Sequence, residues 1–540
     1  MLGLENDQIH LRHTNRFPLG DWVRHEIEPL GTSGGGCGLP YAAFSLSGTV
    51  TAERIAEVVP KLETIIHDGM ARTGVPGLAV VIVHDDAVAF LQGYGVREAG
   101  KPELVDPDTV FQIASMSKPI ASTVMATLVG DGIVSWDDPI VKHDPGFELQ
   151  DPWVTRAVTL KDMFSHRSGL PDHSGDLLED LGFGREEILS RLRYVDAAGP
   201  FRASYAYTNF GVTEAAVAAA KAAGKPWEEL SEERLYRPAG MTRTSSRYSD
   251  FLTAANRAVN SVRAGDKWVA GPARNPDAQS PAGGVSSTAR DLGQWLRIQL
   301  GGGKLGSKEI VAPVALAQTH QPAIARGGSP GSSNEGFPPF YGLGWNVDAG
   351  PDGQVHLSHS GAFNLGVGTN VHLIPAEHLG IAVLTNGYPV GLAEAVARSF
   401  LDLVFSGEVE RDWIDAYGRL MADVMKPDYG DIFDAANSRP QRSPALPAMS
   451  YVGAYHNDLY GTLNISEEQG SLAMRLGPGA SAFPLRHIDH DTFSYQPLGE
   501  NAYGPSAVTF TVDGGRSTAV MIENLNIHGQ GTFRRTSNEP

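Results

Sequence analysis

Ser115 and Lys118 stand three residues apart, a spacing that could build a site for acyl transfer. If a helix starts at Ser115, both side chains lie on one face of it. A serine hydroxyl is a weak nucleophile that needs a base, and a lysine amine is a base only when it is neutral. Burial and nearby positive charge lower a lysine pKa, and a helix N-terminus offers backbone N–H groups to an oxyanion. The alternative is a purely structural role, in which the serine caps a helix and the lysine lies on the surface.

Two later segments supply further polar groups. Tyr207 and Asn209 are two residues apart, so a phenol and an amide can face one side of an extended segment. A tyrosine held against a lysine ammonium could be shifted toward phenolate and relay protons. Segment 359–362, with the sequence His-Ser-Gly-Ala, brings a polar group, a small residue and a free backbone N–H beside a predicted sheet edge. The alternatives are a packed aromatic in a turn and a β-bulge glycine beside an exposed histidine.

Hydrophobic periodicity predicts the elements that position these residues. Apolar residues recur at three- and four-residue steps over residues 51–73, which indicates a helix, and a second helix is predicted near 115–130. Residues 78–83 and 87–91 read as a β-hairpin, as do 371–374 and 381–384. A long apolar helix is predicted over 392–405. Strands at both ends of a region of several hundred residues predict one sheet built from distant parts of the chain.

The sequence changes character after residue 425. Residues 426–450 hold four prolines without a helical period and are predicted to form a linker. Eight short strand-like runs follow in 451–540, separated by turn residues, and they predict a small antiparallel barrel. Residues 1–50 have no clear pattern and are interpreted as an N-terminal extension of unknown role.

Composition and charge exclude several classes of function. The 540 residues are 41% hydrophobic and 19% charged, as in an ordinary globular protein. The net charge of −19 disfavours nucleic acid and anionic membranes as partners. Apolar runs are too short to span a bilayer, and no signal peptide is recognisable, so the sequence as written predicts a cytoplasmic protein. The single Cys37 excludes a disulfide within the chain and a cysteine-rich metal site.

The motifs taken together resemble a known superfamily. S-x-x-K at 115–118, Y-T-N at 207–209 and H-S-G at 359–361 occur in the order found in the penicillin-recognising serine hydrolases. This superfamily includes class C β-lactamases, D,D-peptidases, family VIII carboxylesterases and D-aminopeptidases. Residues 164–171 and 281–287 also resemble stretches common in its class C-like branch.

The resemblance covers residues 51–425 and implies an α+β fold. In that fold an antiparallel sheet is flanked by helices and joined to an all-helical region. The strands after residue 450 are similar to the lipocalin-like barrel appended to several members. The expected organisation is therefore an extension (1–50), a β-lactamase-like domain (51–425), a linker (426–450) and a barrel domain (451–540).

The resemblance also implies roles for the catalytic residues. Ser115 would be the nucleophile and Lys118 its base. Tyr207 would take part in proton transfer, and Asn209 would orient Lys118 or bind substrate. The reaction would pass through an acyl-enzyme on Ser115, and no metal or organic cofactor is implied.

Segment 359–362 would complete the site. The backbone N–H groups of Ser115 and Ala362 would form the oxyanion hole, with Ser360 and Gly361 against the substrate. His359 would take the position at which many β-lactamases carry a lysine. That lysine helps to hold a substrate carboxylate, and this chain has neither K-T-G nor S-D-N. The variant resembles D-aminopeptidases, some esterases and penicillin-binding-protein-type peptide cyclases, so efficient β-lactam hydrolysis is not expected.

These observations favour a serine hydrolase that cleaves ester or amide bonds of small or D-configured acyl substrates. A peptide cyclase, in which an amine replaces water, is the alternative within the superfamily, followed by a β-lactamase or D,D-peptidase. A hypothesis of another class is an inactive penicillin-binding-type sensor or binding module. The expected partner is a small-molecule or peptide substrate, and the sequence does not indicate an oligomeric state.

Overall fold

The computed structural model of the protein describes residues 50–327, 338–350, 353–479 and 481–536. Cys37 and all but the last residue of the predicted extension, 1–50, lie outside these ranges. No helix within the described ranges is long and apolar enough to cross a membrane.

Fourteen strands precede the barrel in the part of the chain that the structure describes, and all their pairings with one another are antiparallel. They are β1 (Gly77–His84), β2 (Ala87–Gly95), β3 (Phe111–Gln112), β4 (Ser261–Ala264), β5 (Lys267–Ala270), β6 (Ser286–Ser287), β7 (Lys304–Leu305), β8 (Lys308–Glu309), β9 (Ile324–Ala325), β10 (Phe340–Tyr341), β11 (Asn346–Ala349), β12 (Val355–Phe363), β13 (Val367–Ile374) and β14 (Leu379–Thr385). Eight of them form one sheet in the order β2-β1-β14-β13-β12-β11-β10-β9. The expectation of one sheet built from distant parts of the chain is confirmed.

The described ranges contain sixteen α-helices. They are α1 (Ala52–Thr73), α2 (Ser117–Gly130), α3 (Ile140–His143), α4 (Pro152–Ala157), α5 (Leu160–Phe164), α6 (Asp176–Asp180), α7 (Arg185–Arg191), α8 (Asn209–Ala223), α9 (Trp227–Ser231), α10 (Tyr248–Thr253), α11 (Ser280–Gly283), α12 (Ala289–Leu300), α13 (Pro313–Thr319), α14 (Leu392–Ser406), α15 (Trp413–Val424) and α16 (Asp431–Asn437). The count refers to the described ranges.

The central strands are covered on both faces, which explains their continuous apolar runs. Alternate residues of β1 enter two different cores: Leu78, Val80 and Ile82 pack with α1 and α14. Ala79 and Val81 pack on the other face, where α12 and the helical region lie. Both predicted hairpins are confirmed, as β1–β2 and β13–β14.

Helix α1 shows how local sequence fixes one of these layers. The Thr51 side chain accepts a hydrogen bond from the Arg54 N–H and caps the first turn, and Gly74 ends the helix with a φ of 72°. Its buried residues recur at helical spacing and face α14. They are Ile55, Val58, Leu62, Ile66 and Gly69.

The C-terminal region is a nearly closed antiparallel barrel. Its nine strands are β15 (Gly453–Asn457), β16 (Gly461–Glu468), β17 (Ser471–Leu476), β18 (Ser481–Pro484), β19 (Arg486–Asp489), β20 (Thr492–Tyr495), β21 (Ser506–Asp513), β22 (Arg516–Ile522) and β23 (Thr532–Arg535). The sequence predicted eight strands, with one run over 483–488, and the structure divides this run at Leu485 into β18 and β19. The α+β class with a C-terminal barrel is confirmed.

The predicted linker 426–450 contains regular structure. Helix α16 lies within it, and the Glu523 carboxylate of the barrel accepts hydrogen bonds from the N–H groups of Gly430, Ile432 and Phe433 at its N-terminus. A carboxylate at this end is stabilised by the helix dipole. The sequence did not indicate this helix, because seven residues are too few to show a helical period.

Replacement of Leu62 by alanine tests the α1–α14 layer. Leu62 is fully buried, so Leu62→Ala leaves a cavity and is expected to lower the free energy of unfolding by about 2–5 kcal/mol. Thr64→Ala on the exposed face of the same helix should change it by less than about 0.5 kcal/mol. Chemical denaturation of both variants gives the comparison, and equal losses would contradict the layer described here.

Candidate active site

Ser115 lies in a tight turn between β3 and α2. The chain forms a 3-10 turn over Ala114–Met116, so the α-helix begins at Ser117 and not at Ser115 as predicted. Ala114 has a φ of 48°, a left-handed conformation that costs energy for a residue with a Cβ. The Ser117 hydroxyl donates to the Ala114 carbonyl at 2.6 Å and accepts from the Val285 N–H at 3.0 Å. These bonds hold the strained turn that presents Ser115.

Lys118 is fully buried one turn later and has three polar neighbours. Its Nζ lies 3.1 Å from Ser115 Oγ, 2.7 Å from Asn209 Oδ1 and 3.0 Å from the Ala282 carbonyl oxygen. Amide and carbonyl oxygens only accept, so they take two amine hydrogens. In the neutral amine the lone pair is then left for the Ser115 hydroxyl. This is the arrangement that a base for Ser115 requires.

The surroundings of Lys118 favour this neutral form. Burial lowers its pKa well below the ordinary value, because the charged amine loses its hydration. Two nearby charges act in opposite directions: Asp176 raises the pKa and Arg274 lowers it. None of the three hydrogen-bond partners of the amine is a carboxylate, and burial is the largest influence on its pKa.

Tyr207 is buried beside Lys118, with the lysine Nζ 4.5 Å from its ring centroid. Burial raises the pKa of Tyr207, and this effect exceeds the opposing influence of Ser115. The phenolate that the sequence suggested is therefore not supported, and Tyr207 keeps its proton. Within the described ranges its hydroxyl makes no hydrogen bond of ordinary geometry. It is available to donate to a bound group.

Asn209 opens helix α8, whereas the sequence suggested an extended segment shared with Tyr207. Its Oδ1 accepts from Lys118, and its Nδ2 donates to Asp176 Oδ2 at 2.8 Å. The same carboxylate oxygen lies 2.9 Å from His173 Nδ1. Because a carboxylate can only accept, Asp176 fixes which end of the Asn209 amide faces Lys118.

Segment 359–362 lies inside β12, and not at the end of a strand. Strand β11 pairs with β12 as far as Ser358, and beyond that point β12 packs against the Ser115 turn. A Cβ on Gly361 would lie 2.2 Å from the Ile113 carbonyl oxygen, so a glycine is required for this close approach. Gly361 and Ala362 therefore lie next to the turn that carries Ser115.

His359 is buried and neutral. Its Nδ1 lies 2.7 Å from the Ser360 carbonyl oxygen and must carry the proton, so its Nε2 accepts from the Tyr341 hydroxyl at 3.0 Å. Burial lowers the pKa of His359 to about 3, and Lys118 contributes to the shift. The histidine that replaces the lysine of K-T-G thus brings no positive charge to the site.

The Ser360 side chain lies on the other face of the sheet. Successive strand residues alternate between faces, and the Ser360 hydroxyl accepts from Asn370 Nδ2 at 3.0 Å on the α14 side. The predicted contact between Ser360 and substrate can therefore involve its backbone alone.

Sequence reasoning missed two buried residues near the site, Asp176 and Arg274, which have no motif of their own. His166 lies in segment 164–171, which was noted for its family resemblance without a role for the histidine. His166 Nδ1 accepts from the Thr208 N–H at 3.1 Å, and its ring packs against Tyr207. Among the described residues, no group of three histidine, cysteine or acidic side chains is placed to hold a metal ion.

A β-lactamase-like fold with a buried serine–lysine pair defines the class of this protein. The beta-lactamase family model matches residues 62–403, more than half of the chain, and the chain belongs to this family. A second model, described as a domain of unknown function, matches residues 437–535. The penicillin-binding-protein-like resemblance stated from the motifs is thereby confirmed.

Similar proteins include curated enzymes and solved structures. Unguisins hydrolase of Aspergillus campestris is 26% identical over 430 residues, covering 74% of this chain and 76% of the relative. The D-alanyl-D-alanine-carboxypeptidase/endopeptidase AmpH of Escherichia coli is 25% identical, covering 67% and 93%. The octameric penicillin-binding protein homologue from Pyrococcus abyssi has a TM-score of 0.57 at 20% identity, covering 86% and 98%, and shows the same fold.

Replacement of Asp176 by asparagine tests its influence on the base. The Asp176 charge raises the pKa of Lys118, so Asp176→Asn lowers that pKa further. Activity needs the neutral amine, so the acid limb of kcat/KM against pH should move to lower pH by about one unit. Glu186→Gln, an exposed change on α7, should leave the profile in place. An unmoved limb in Asp176→Asn would show that Lys118 is not the titrating base.

Proposed function

We propose that the protein is a serine hydrolase that acts through an acyl-enzyme on ester or amide bonds of small or D-configured acyl substrates. The position of Lys118 supports this most directly. Its two hydrogens are taken by fixed acceptors, and its lone pair is directed at Ser115 Oγ, 3.1 Å away. An inactive binding module has no need of a buried neutral amine in that position.

The chemistry follows from these positions. Lys118 accepts the Ser115 proton as Oγ attacks the substrate carbonyl carbon. The N–H groups of Ser115 and Ala362 bind the oxyanion, because Gly361 lets this strand lie against the nucleophile turn. Tyr207 carries its proton and is placed to donate it to the leaving group as the carbonyl re-forms, while the Lys118 ammonium returns a proton to the Tyr207 oxygen, so both groups regain their starting forms. Lys118 then accepts a proton from the water that attacks the acyl-enzyme, and it gives this proton to Ser115 Oγ as the acid product is released.

The neutral His359 supports a substrate that has no free carboxylate in the part of the site next to this residue. The names of two relatives, an unguisins hydrolase and a D-alanyl-D-alanine-carboxypeptidase/endopeptidase, also support hydrolysis, and the second supports peptide-like substrates. An acyl-enzyme can be resolved by an amine as well as by water, as in the peptide cyclases. Product analysis with a linear peptidyl thioester separates the two, since hydrolysis yields the linear acid and cyclisation the ring.

Loss of the nucleophile or of the base should stop turnover. Ser115→Ala removes the atom that forms the acyl-enzyme, and Lys118→Ala removes its base, so each should lower kcat/KM by several orders of magnitude. Intact mass spectrometry with a fluorophosphonate probe should detect one adduct on wild type and none on Ser115→Ala. An adduct that survives Ser115→Ala would refute the site, and an unmodified wild type would refute the enzyme.

Substrate pairs test the role of His359. Each pair is a short peptide of one sequence as the free acid and as the C-terminal amide. Because His359 is uncharged, kcat/KM for cleavage of the terminal bond should be no higher for the free acid than for the amide. A preference of ten-fold or more for the free acid would reveal a cation that holds the carboxylate and would contradict the proposed substrate class.

A further inference from the structure

One loop of the barrel, residues 499–503, reaches the turn that follows the predicted oxyanion strand. The Glu500 carboxylate is buried and accepts from the Asn364 N–H at 2.5 Å and from the Leu365 N–H at 3.4 Å. The Asn364 side chain returns two hydrogen bonds, to the Glu500 carbonyl at 3.1 Å and to the Tyr503 hydroxyl at 2.6 Å. The barrel therefore holds the β12–β13 turn by both its backbone and its side chain.

This turn is directly connected to the oxyanion hole. Asn364 is two residues beyond Ala362, and Phe363 between them packs with Ala114 of the nucleophile turn. The Arg274 guanidinium lies 4.6 Å from the Phe363 ring centroid and 3.8 Å from the Glu500 carboxylate. A displacement of Asn364 would therefore also displace Ala362, because only Phe363 separates them.

The same loop also contacts helix α6, which carries Asp176. Asp180 accepts from the backbone N–H groups of Glu500 and Asn501, both at 2.9 Å. Asp180 ends the short helix α6, and Asp176, which orients Asn209 toward Lys118, begins it. The loop 499–503 therefore bridges the base side of the site and the oxyanion side.

A second barrel contact is consistent with this. His528 Nε2 lies 2.8 Å from the Asp172 carbonyl oxygen, and the Asp172 carboxylate accepts a hydrogen bond from the Tyr207 N–H. Two barrel loops thus contact segments that carry groups of the site.

We propose that Glu500 is a positioning residue of the oxyanion hole, which it sets by fixing the turn after Ala362. The inference rests on the proposed function and extends it, because it makes part of the barrel a component of the reaction geometry. Glu500 does not touch the reacting atoms. Its contribution is to keep the Ala362 N–H at the position where the carbonyl oxygen becomes charged.

Steady-state kinetics with a p-nitrophenyl ester test the proposal. Glu500→Ala frees the turn and should lower kcat about ten-fold with KM within two-fold of wild type, because a displaced oxyanion donor affects the transition state more than the ground state. Glu500→Gln keeps the length and one acceptor and should recover most of the rate. Glu468→Ala, an exposed barrel glutamate paired with Arg475, is the matched control and should behave as wild type.

Thermal unfolding followed by circular dichroism establishes that each variant is folded. If Glu500→Ala does not fold, Glu500→Asp replaces it, since the shorter side chain keeps the charge but cannot reach both N–H groups. An unchanged kcat in a folded variant would overturn the proposal, as would a raised KM at constant kcat, which indicates substrate contact. Ser115→Ala, run beside them, separates this failure from that of the proposed function: an active Ser115→Ala would refute the function itself.

Discussion

The site depends on one constraint: a lysine amine enclosed by protein whose hydrogen-bond partners, among the described residues, include no carboxylate. Burial makes the ammonium form of Lys118 costly and so favours the neutral amine. A neutral amine offers two hydrogens and one lone pair, and the fold supplies two acceptors and one hydroxyl to match. Ser115 and Lys118 come from one turn of chain, whereas Asn209 and Ala282 come from distant segments.

This constraint explains the charges that surround the site. A carboxylate in contact with Lys118 would stabilise the ammonium, and Asp176 acts instead through the Asn209 amide, one hydrogen bond further away. That separation lets the carboxylate orient the amide while its effect on the lysine pKa stays smaller than that of burial. Arg274 opposes it from the barrel side. The same burial keeps Tyr207 protonated and His359 neutral, so the immediate site is close to uncharged.

Short-range patterns carried most of what could be predicted from the sequence. The period of α1, the two hairpins and the three-residue spacing of Ser115 and Lys118 are properties of neighbouring residues, and local geometry follows from them. The directions of the pKa shifts are properties of the fold. Whether Tyr207 faces an ammonium or a neutral amine depends on how completely segments far apart in the chain exclude water. Asp176 and Glu500 could not be predicted for the same reason, because their roles depend on long-range contacts. Their partners, Asn209 and Asn364, are 33 and 136 residues away in the chain.

The proposed role of Glu500 would let the barrel act on the candidate site from outside it. Its interior is filled by its own aromatic side chains, with Tyr451 and Phe510 centroids 4.7 Å apart and Phe493 within 6 Å of both. A closely packed interior resists deformation, so a displacement at one side of the barrel is not absorbed within it. The hydrophobic core of the helical region continues into the barrel, so the rim is fixed relative to Ser115. Under the proposed role, the hydrogen bond from Asn364 to Glu500 therefore joins two anchored parts of the protein, the β12–β13 turn and the barrel.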